Sequence, residues 1–371
     1  MNDAIPFLSF DGQSSGLRKK ISSVLREVYD SNNFILGTNV EEFERRYATF
    51  SGTRYCATTG NGLDALSLSL KAIGVGVGDE VIVPANTCIP TWMAVTAARA
   101  TVVPVEPDIK TYNLDATKIS QAITSKTRAI IPVHLYGQAC EMTSIEKIAK
   151  KHRLSIIEDN AQAHGAQHNG RSTGSFGVIN ATSFYPTKNL GAIGDGGAVT
   201  TNDRSLYEKV IRLRNYGSGK KNVHEFIGVN SRLDEIQAAV LSLKLADLDK
   251  ANTHRQRIAE LYLNGLQNVG DIELPYTAIG STHVYHLFVV RTSRRDQLIR
   301  HLQRRGIGTM IHYPTPPHLQ EAYHKLGLKK GSLPITELIA DTVVSLPLWP
   351  GMSKPMVERV ISSVRTFYGH K

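Results

Sequence analysis

Along residues 17–29, LRKKISSVLREVY, the apolar positions Leu17, Ile21, Val24, Leu25 and Val28 fall three or four apart, the spacing of one helix face. Val40 to Phe50 repeats that pattern around Phe43 and Tyr47, and the turn-forming run SNNFILGTN between the two reads as a loop. Gly60-Asn61-Gly62 then leads a third helical pattern through Leu63, Leu66 and Leu70. Beyond it the period changes. Glu80 to Pro84, TVVPV, RAIIPVHLY and LSIIED are short β-branched runs that read as strands. Helical patterns separate them, one from about Thr91 behind Pro90, others at Leu114 to Ile123 and Thr143 to His152. Alternation of this kind predicts an α/β fold whose mostly parallel sheet is covered on both faces.

Further on, Ala181 opens a strand that breaks at Pro186, Ala198 to Thr201 reads as another strand, and Leu206 to Arg214 as a helix. Ser231-Arg232-Leu233-Asp234 has the look of a capping box. It leads an amphipathic helix carrying Leu233, Ile236, Val240 and Leu243. The charged stretch Lys244 to His254 reads as a bridge, so residues 1–245 form a large domain and 246–371 a smaller α+β unit with proline-rich loops. Within that unit YHLFVVR suits a strand and DQLIRHLQRRG a helix.

Composition narrows the function classes. The 371 residues carry 43 Lys and Arg against 33 Asp and Glu, so the surface favours anions. The basic residues are scattered and no zinc-finger or RNA-recognition signature occurs, which points to a phosphorylated or nucleotide-linked small molecule and away from nucleic acid. Cys56, Cys88 and Cys140 lie far apart, without metal-ligand spacing, so the expectation is no disulfide framework, no metal and a reducing compartment. No secretory signal and no run of 18 apolar residues is evident, so a cytoplasmic protein that neither spans nor binds a membrane is expected.

Candidate chemistry gathers at strand ends, where open α/β sheets place their ligands. Lys188 follows Pro186 in SFYPTKNLGAIGDGGAV, beside four glycines (Gly191, Gly194, Gly196 and Gly197) with Asp195 among them. Backbone without side chains lets a flat ligand approach, and a partly buried lysine forms Schiff bases with aldehydes; taken alone, a solvated surface lysine explains it too. Asp159 closes the LSIIED strand, with Gln162 three residues on; the carboxylate suits either a cationic ligand atom or a helix N-cap. The glycine-led start at Gly62 offers free amides to an anion, or is an ordinary capped helix.

An aldehyde, a ring nitrogen and a phosphate on one cofactor call for these three pieces together, and pyridoxal 5'-phosphate carries all three. The motifs NGLDAL, PVHLYG, IEDNAQAHGA, SFYPTKNLGAIGDGGAV, NSRLDEIQAA and IHYPTPPH, in that order, resemble the DegT/DnrJ/EryC1/StrS family of pyridoxal-phosphate-dependent nucleotide-sugar aminotransferases over about residues 5 to 365. The resemblance implies the aspartate-aminotransferase-like fold called fold type I. It implies that Lys188 holds the cofactor covalently, that Asp159 pairs with the pyridinium, that Gln162 lies beside the ring hydroxyl, and that Ser183 with the amides of Gly62 and Leu63 binds the phosphate. Asn230 would reach the phosphate of a neighbouring subunit, which implies a homodimer with shared active sites.

Two positions depart from the family pattern. Leu63 replaces a hydroxyl residue, removing one phosphate contact, and Cys88 stands where many members stack an aromatic ring. His134, His164, Tyr185 and Tyr313 either face substrate or pack, and His312 is no better placed. The implied reaction is amino transfer from L-glutamate to a dTDP-linked keto-deoxyhexose, at carbon 3 to give a dTDP-3-amino-3,6-dideoxyhexose in deoxyaminosugar biosynthesis, such as that of an O-antigen or other polysaccharide. Amination at carbon 4 would use the same cofactor residues. Dehydratase relatives replace the lysine with histidine, and a non-catalytic protein on this scaffold would be expected to lose Lys188 or Asp159; both residues are present.

Overall fold

A computed structural model describes residues 4–10, 15–220 and 222–370. Two helices lead, α1 (Ser15–Ser31) and α2 (Thr38–Ser51), α2 ending where Gly52 takes the left-handed conformation at φ 72°. The central sheet has seven strands: β1 (Tyr55–Thr59), β2 (Glu80–Pro84), β3 (Thr101–Val105), β4 (Thr127–Ile130), β5 (Ser155–Asp159), β8 (Ile179–Ser183) and β9 (Gly197–Thr201). Between β5 and β8 lies a small ribbon of β6 (Gln167–His168) and β7 (Arg171–Ser172). The sheet order is β1-β9-β8-β5-β4-β2-β3; pairs among β3, β2, β4, β5 and β8 are parallel, and β9 runs antiparallel to both β8 and β1. The Ala198–Thr201 strand is therefore the one that runs against the rest of this sheet.

Helices α3 (Gly62–Ala72), α4 (Pro90–Ala97), α5 (Ala116–Ile119), α6 (Met142–His152) and α7 (Arg204–Leu213) cover the sheet. Side chains alternate along a strand, so Val81 and Val83 join Leu66, Leu70, Trp92 and Val210 in one buried core, while Ile82 joins Ile119, Met142 and Ile145 in another. Both faces are dry, as an apolar β-branched run requires. At about 25 cal/mol per Å² of apolar surface removed from water, burial in these two layers stabilises the sheet.

A hairpin of β10 (Ser218–Lys220) and β11 (Val223–His224) precedes α8 (Glu235–Leu245) and the long α9 (Leu248–Leu266). The C-terminal unit pairs β12 (Phe288–Arg291) antiparallel with β13 (Val343–Leu346), packed by α10 (Arg295–Arg304), α11 (Pro334–Thr342) and α12 (Lys354–Phe367). Its core holds Tyr262, Phe288, Leu298, Val344 and Val360, and also Ile5. The Ile5 amide donates to the Gly306 carbonyl at 2.8 Å, and the Gly308 amide donates to the Ile5 carbonyl at 2.8 Å. The start of the chain thus packs with the C-terminal unit, although a boundary at 245 assigns it to the large domain. Leu248, beyond that boundary, packs with Phe43 and Phe184 of the large domain. No helix among the described residues is long and apolar enough to cross a membrane.

The capping-box reading of Ser231 fails. Helix α8 begins at Glu235 with Asp234 as its cap residue and no side-chain cap bond. Ser231 lies before it with its hydroxyl engaged elsewhere, on Gly60 and Asp64. Glu235 itself reaches back to the amides of Gly37, Asn39 and Val40 at the start of α2, at 2.8–2.9 Å.

Candidate active site

The carboxyl ends of β1, β2, β5 and β8 surround a cavity of about 360 Å³, lined by Gly62, Leu63, Cys88, Asp159, Gln162, Ser183, Tyr185 and Lys188 among others. Eight positions spread over 127 residues of sequence therefore meet at one place, between Gly62 and Lys188.

One end is built from backbone. Asn61, in extended conformation, caps α3 by accepting from the Asp64 amide at 2.8 Å. The Gly62 and Leu63 amides stand in the helix's first turn, where no intrahelical partner exists, at the positive end of its dipole. A Cβ on Gly62 would lie 2.6 Å from Ser183 Cβ, so only glycine lets this helix start come so close to β8. Ser183 is part-exposed, its hydroxyl accepting from the Tyr185 amide at 3.2 Å. Two free amides and a hydroxyl form an anion cradle. The Leu63 side chain packs against the main core, leaving only its amide for the anion.

The other end is ionic. Asp159 is buried at the end of β5, and its Oδ2 accepts from the Thr91 hydroxyl at 2.9 Å. Thr87 and Thr91 hydroxyls lie 3.0 Å apart, and the Ala161 amide donates to Asp159 Oδ1 at 3.2 Å. No helix follows Asp159, which removes the N-cap reading. Burial pushes its carboxyl above the ordinary value, and the Thr91 hydroxyl and Ala161 amide pull it back. Lys188 is half-buried, and among the described residues its ammonium has no hydrogen bond or ion pair. Burial lowers its pKa, against the opposing pull of Cys88 and Asp159. A buried carboxylate without a cation at contact distance is costly, and a cationic atom about 4 Å away is worth about 4 kcal/mol at an effective dielectric of 20.

Gln162 joins the two domains. Its Oε1 accepts from the Tyr136 amide at 2.7 Å and its Nε2 donates to the Tyr313 hydroxyl at 3.1 Å, leaving one amide hydrogen for a ligand. Tyr136 in turn donates from its hydroxyl to the His312 carbonyl. Tyr313 thus stands at the cavity's margin, next to Cys88, and Tyr185 lines the cavity while 52% exposed.

His134 is a correction: it is fully buried, Nε2 on Glu158 at 2.8 Å and Nδ1 accepting from the Cys140 amide at 3.0 Å. With both ring nitrogens engaged it is a packed interior side chain outside the cavity lining. Glu158, beside it, is spent on the amides of Gly174, Phe176 and Gly177. His164 packs likewise, stacked on Phe184 with Nε2 3.0 Å from Thr182 Oγ1. Asn230 is exposed, outside this cavity, bridged to Asn215. Thr91, Thr87 and Asn61 are site residues that pattern reading missed; no motif marks a threonine whose partner lies 68 residues away.

The site has the donor set that pyridoxal phosphate requires: an amine for the aldehyde, a buried acid for the ring nitrogen, and a cradle a Cβ would fill for the phosphate. Among the described residues no group of three or more His, Cys, Asp or Glu could hold a metal.

Comparison with known proteins agrees. The family model described as "DegT/DnrJ/EryC1/StrS aminotransferase family" matches residues 16–365. A dTDP-3-amino-3,6-dideoxy-alpha-D-galactopyranose transaminase from Aneurinibacillus thermoaerophilus is 51% identical over 363 residues, 98% of this chain and 99% of that protein. The crystal structure of DesV from S. venezuelae in complex with a ketimine intermediate superposes with a TM-score of 0.97 at 47% identity, covering 99% of both chains. The structure of ntda from Bacillus subtilis with bound cofactor PMP superposes with a TM-score of 0.92 at 32% identity, covering all of this chain and 87% of that one.

Proposed function

Because the chain belongs to the DegT/DnrJ/EryC1/StrS aminotransferase family, we propose that it transfers an amino group from L-glutamate to carbon 3 of a dTDP-linked 3-keto-6-deoxyhexose, giving a dTDP-3-amino-3,6-dideoxyhexose. One observation carries the reading. Lys188 and Asp159 face one cavity in a chain 51% identical, over nearly its whole length, to a transaminase named for such a product.

Bound in the cavity, pyridoxal phosphate supplies an aldehyde that captures amino groups and a ring that holds the electron pair left when a proton departs. Lys188 carries the covalent attachment through Nζ, and its lowered pKa leaves part of the amine unprotonated to form it. Freed by the incoming amino donor, the same Nζ would take the proton from the donor carbon and return it to the cofactor carbon across the shared nitrogen, and would do the reverse for the keto sugar. Asp159 holds the proton on the ring nitrogen, and Thr91 fixes the carboxylate's orientation. Gln162 offers its remaining amide hydrogen to the ring hydroxyl. Ser183 and the amides of Gly62 and Leu63 would anchor the phosphate.

Cys88 replaces a stacked aromatic ring with a polarisable sulfur. Tyr185, which lines the cavity, and Tyr313, bonded to Gln162, are the candidates to meet the substrate. The exposed Asn230, at the base of the β10–β11 hairpin, supports a homodimer in which each subunit completes the other's phosphate site. The basic surface suits a nucleotide-linked substrate, and the reducing cytoplasm is the expected compartment for three unpaired cysteines.

The decisive experiment offers the enzyme, L-glutamate and either a 3-keto or a 4-keto dTDP-6-deoxyhexose, and identifies products by mass and NMR. A 3-amino product is expected. A 4-amino product, or none from either sugar, overturns the assignment.

A further inference from the structure

We propose that Ser231, which does not line the cavity, is a positioning residue that aims the phosphate cradle. Its hydroxyl accepts from the Gly60 amide at 2.9 Å and donates to Asp64 Oδ2 at 2.6 Å. Asn61 Nδ2 donates to the same oxygen at 3.1 Å while Asn61 Oδ1 caps the Asp64 amide. One buried hydroxyl, 171 residues away in sequence, therefore clamps both sides of the turn from which the Gly62 and Leu63 amides project.

Electrostatics make that clamp matter. Asp64 lies in the first turn of α3, where a carboxylate competes with a bound phosphate for the same positive helix end. Two donors on Oδ2 hold the carboxylate to the side and spread its charge. Without Ser231 one donor is lost, the Gly60 amide loses its acceptor, and the turn is free to shift. The packing is close, since a Cβ on Gly60 would already sit 3.3 Å from Ser231 Oγ.

Ser231 is itself anchored independently of the turn it holds. Its amide donates to the Arg214 carbonyl at 2.9 Å. The Arg214 guanidinium pairs with buried Glu44 and donates to the Thr58 carbonyl at 2.8 Å, at the end of β1. Substituting the hydroxyl thus leaves this brace in place, and the effect is confined to the cradle.

The inference rests on pyridoxal phosphate occupying this cavity, and the two fail differently. Apoprotein is titrated with pyridoxal phosphate and with pyridoxal, which has the aldehyde and ring without the phosphate, following visible absorbance. Wild-type protein that binds neither overturns the cofactor assignment. In S231A the dissociation constant for pyridoxal phosphate is expected to rise about tenfold, the scale of one lost hydrogen bond to a charged group, with pyridoxal affinity unchanged within about twofold. S231T, which keeps the hydroxyl, is expected to restore the preference for the phosphorylated ligand. In a D64N background the loss caused by S231A is expected to shrink, because the charge it restrains is gone. Equal loss for both ligands, no loss for either, or an undiminished loss in the D64N background overturns the role.

Discussion

The two ends of the cavity recognise their ligand by different physics. At the Gly62 end the groups offered are amides and a hydroxyl, and the nearest carboxylate, Asp64, is held by Asn61 and Ser231. Affinity there depends on shape. At the Lys188 end two titratable groups of opposite charge are drawn out of water, and burial moves their pKa values toward each other. Reactivity there depends on desolvation. The first end is a closely packed turn of neutral donors; the second gathers buried charges that burial disfavours. Changes at one end should therefore alter binding, and changes at the other should alter turnover.

The largest effect is expected from Lys188→Ala: turnover falls by about a thousandfold or more, and borohydride no longer fixes cofactor to the chain, as read by single-turnover absorbance and peptide mass. A trapped adduct on another lysine would remove Lys188 from its role. Asp159→Asn is expected to lower kcat by about a hundredfold while the cofactor dissociation constant moves much less. If kcat fell and the dissociation constant rose together, the ring end would be a binding device like the other. Gly62→Ala tests the converse. Its Cβ would meet Ser183 Cβ at 2.6 Å, so the dissociation constant should rise about tenfold or more, with kcat at saturating cofactor nearly unchanged. Thr91→Val removes the donor to Asp159 and is expected to cost about tenfold in kcat, measured at saturating cofactor.

The smallest effect is on stability. Burial, with Lys188 nearby, lowers His312 from 6.5 to about 4 in the folded protein. The unfolded chain then binds the extra proton between those values, so the apoprotein's stability is full above about 6.5 and declines as pH falls toward 4. His312→Gln should flatten part of that decline in a series of thermal melts across the range.

The strands and most helices are legible because their signals are local: a β-branched run such as Glu80–Pro84 ends at the same residues in the fold. Lys188 and Asp159 are legible because strand ends and glycines mark them. Thr91 and Ser231 are not, since each acts through a partner 68 and 171 residues away, and nothing near them in the chain announces it. For Ser231 the local rule even points the wrong way, to a cap for α8. His134 shows the reverse failure: a histidine after a strand looks reactive, yet Glu158 and Cys140 engage both its nitrogens. The reversal of β9 escapes for a related reason, because alternation of apolar residues sets a strand's faces and not its direction.

Ile5 has a mechanical consequence. Its seat beside Ile307 means the polypeptide crosses from one lobe to the other twice, once on leaving residue 5 and again on entering α9. A single crossing would act as a free swivel, whereas two act as a strap that restricts how far the lobes can part. A fragment beginning at residue 246 would lack the isoleucine that fills this part of its core.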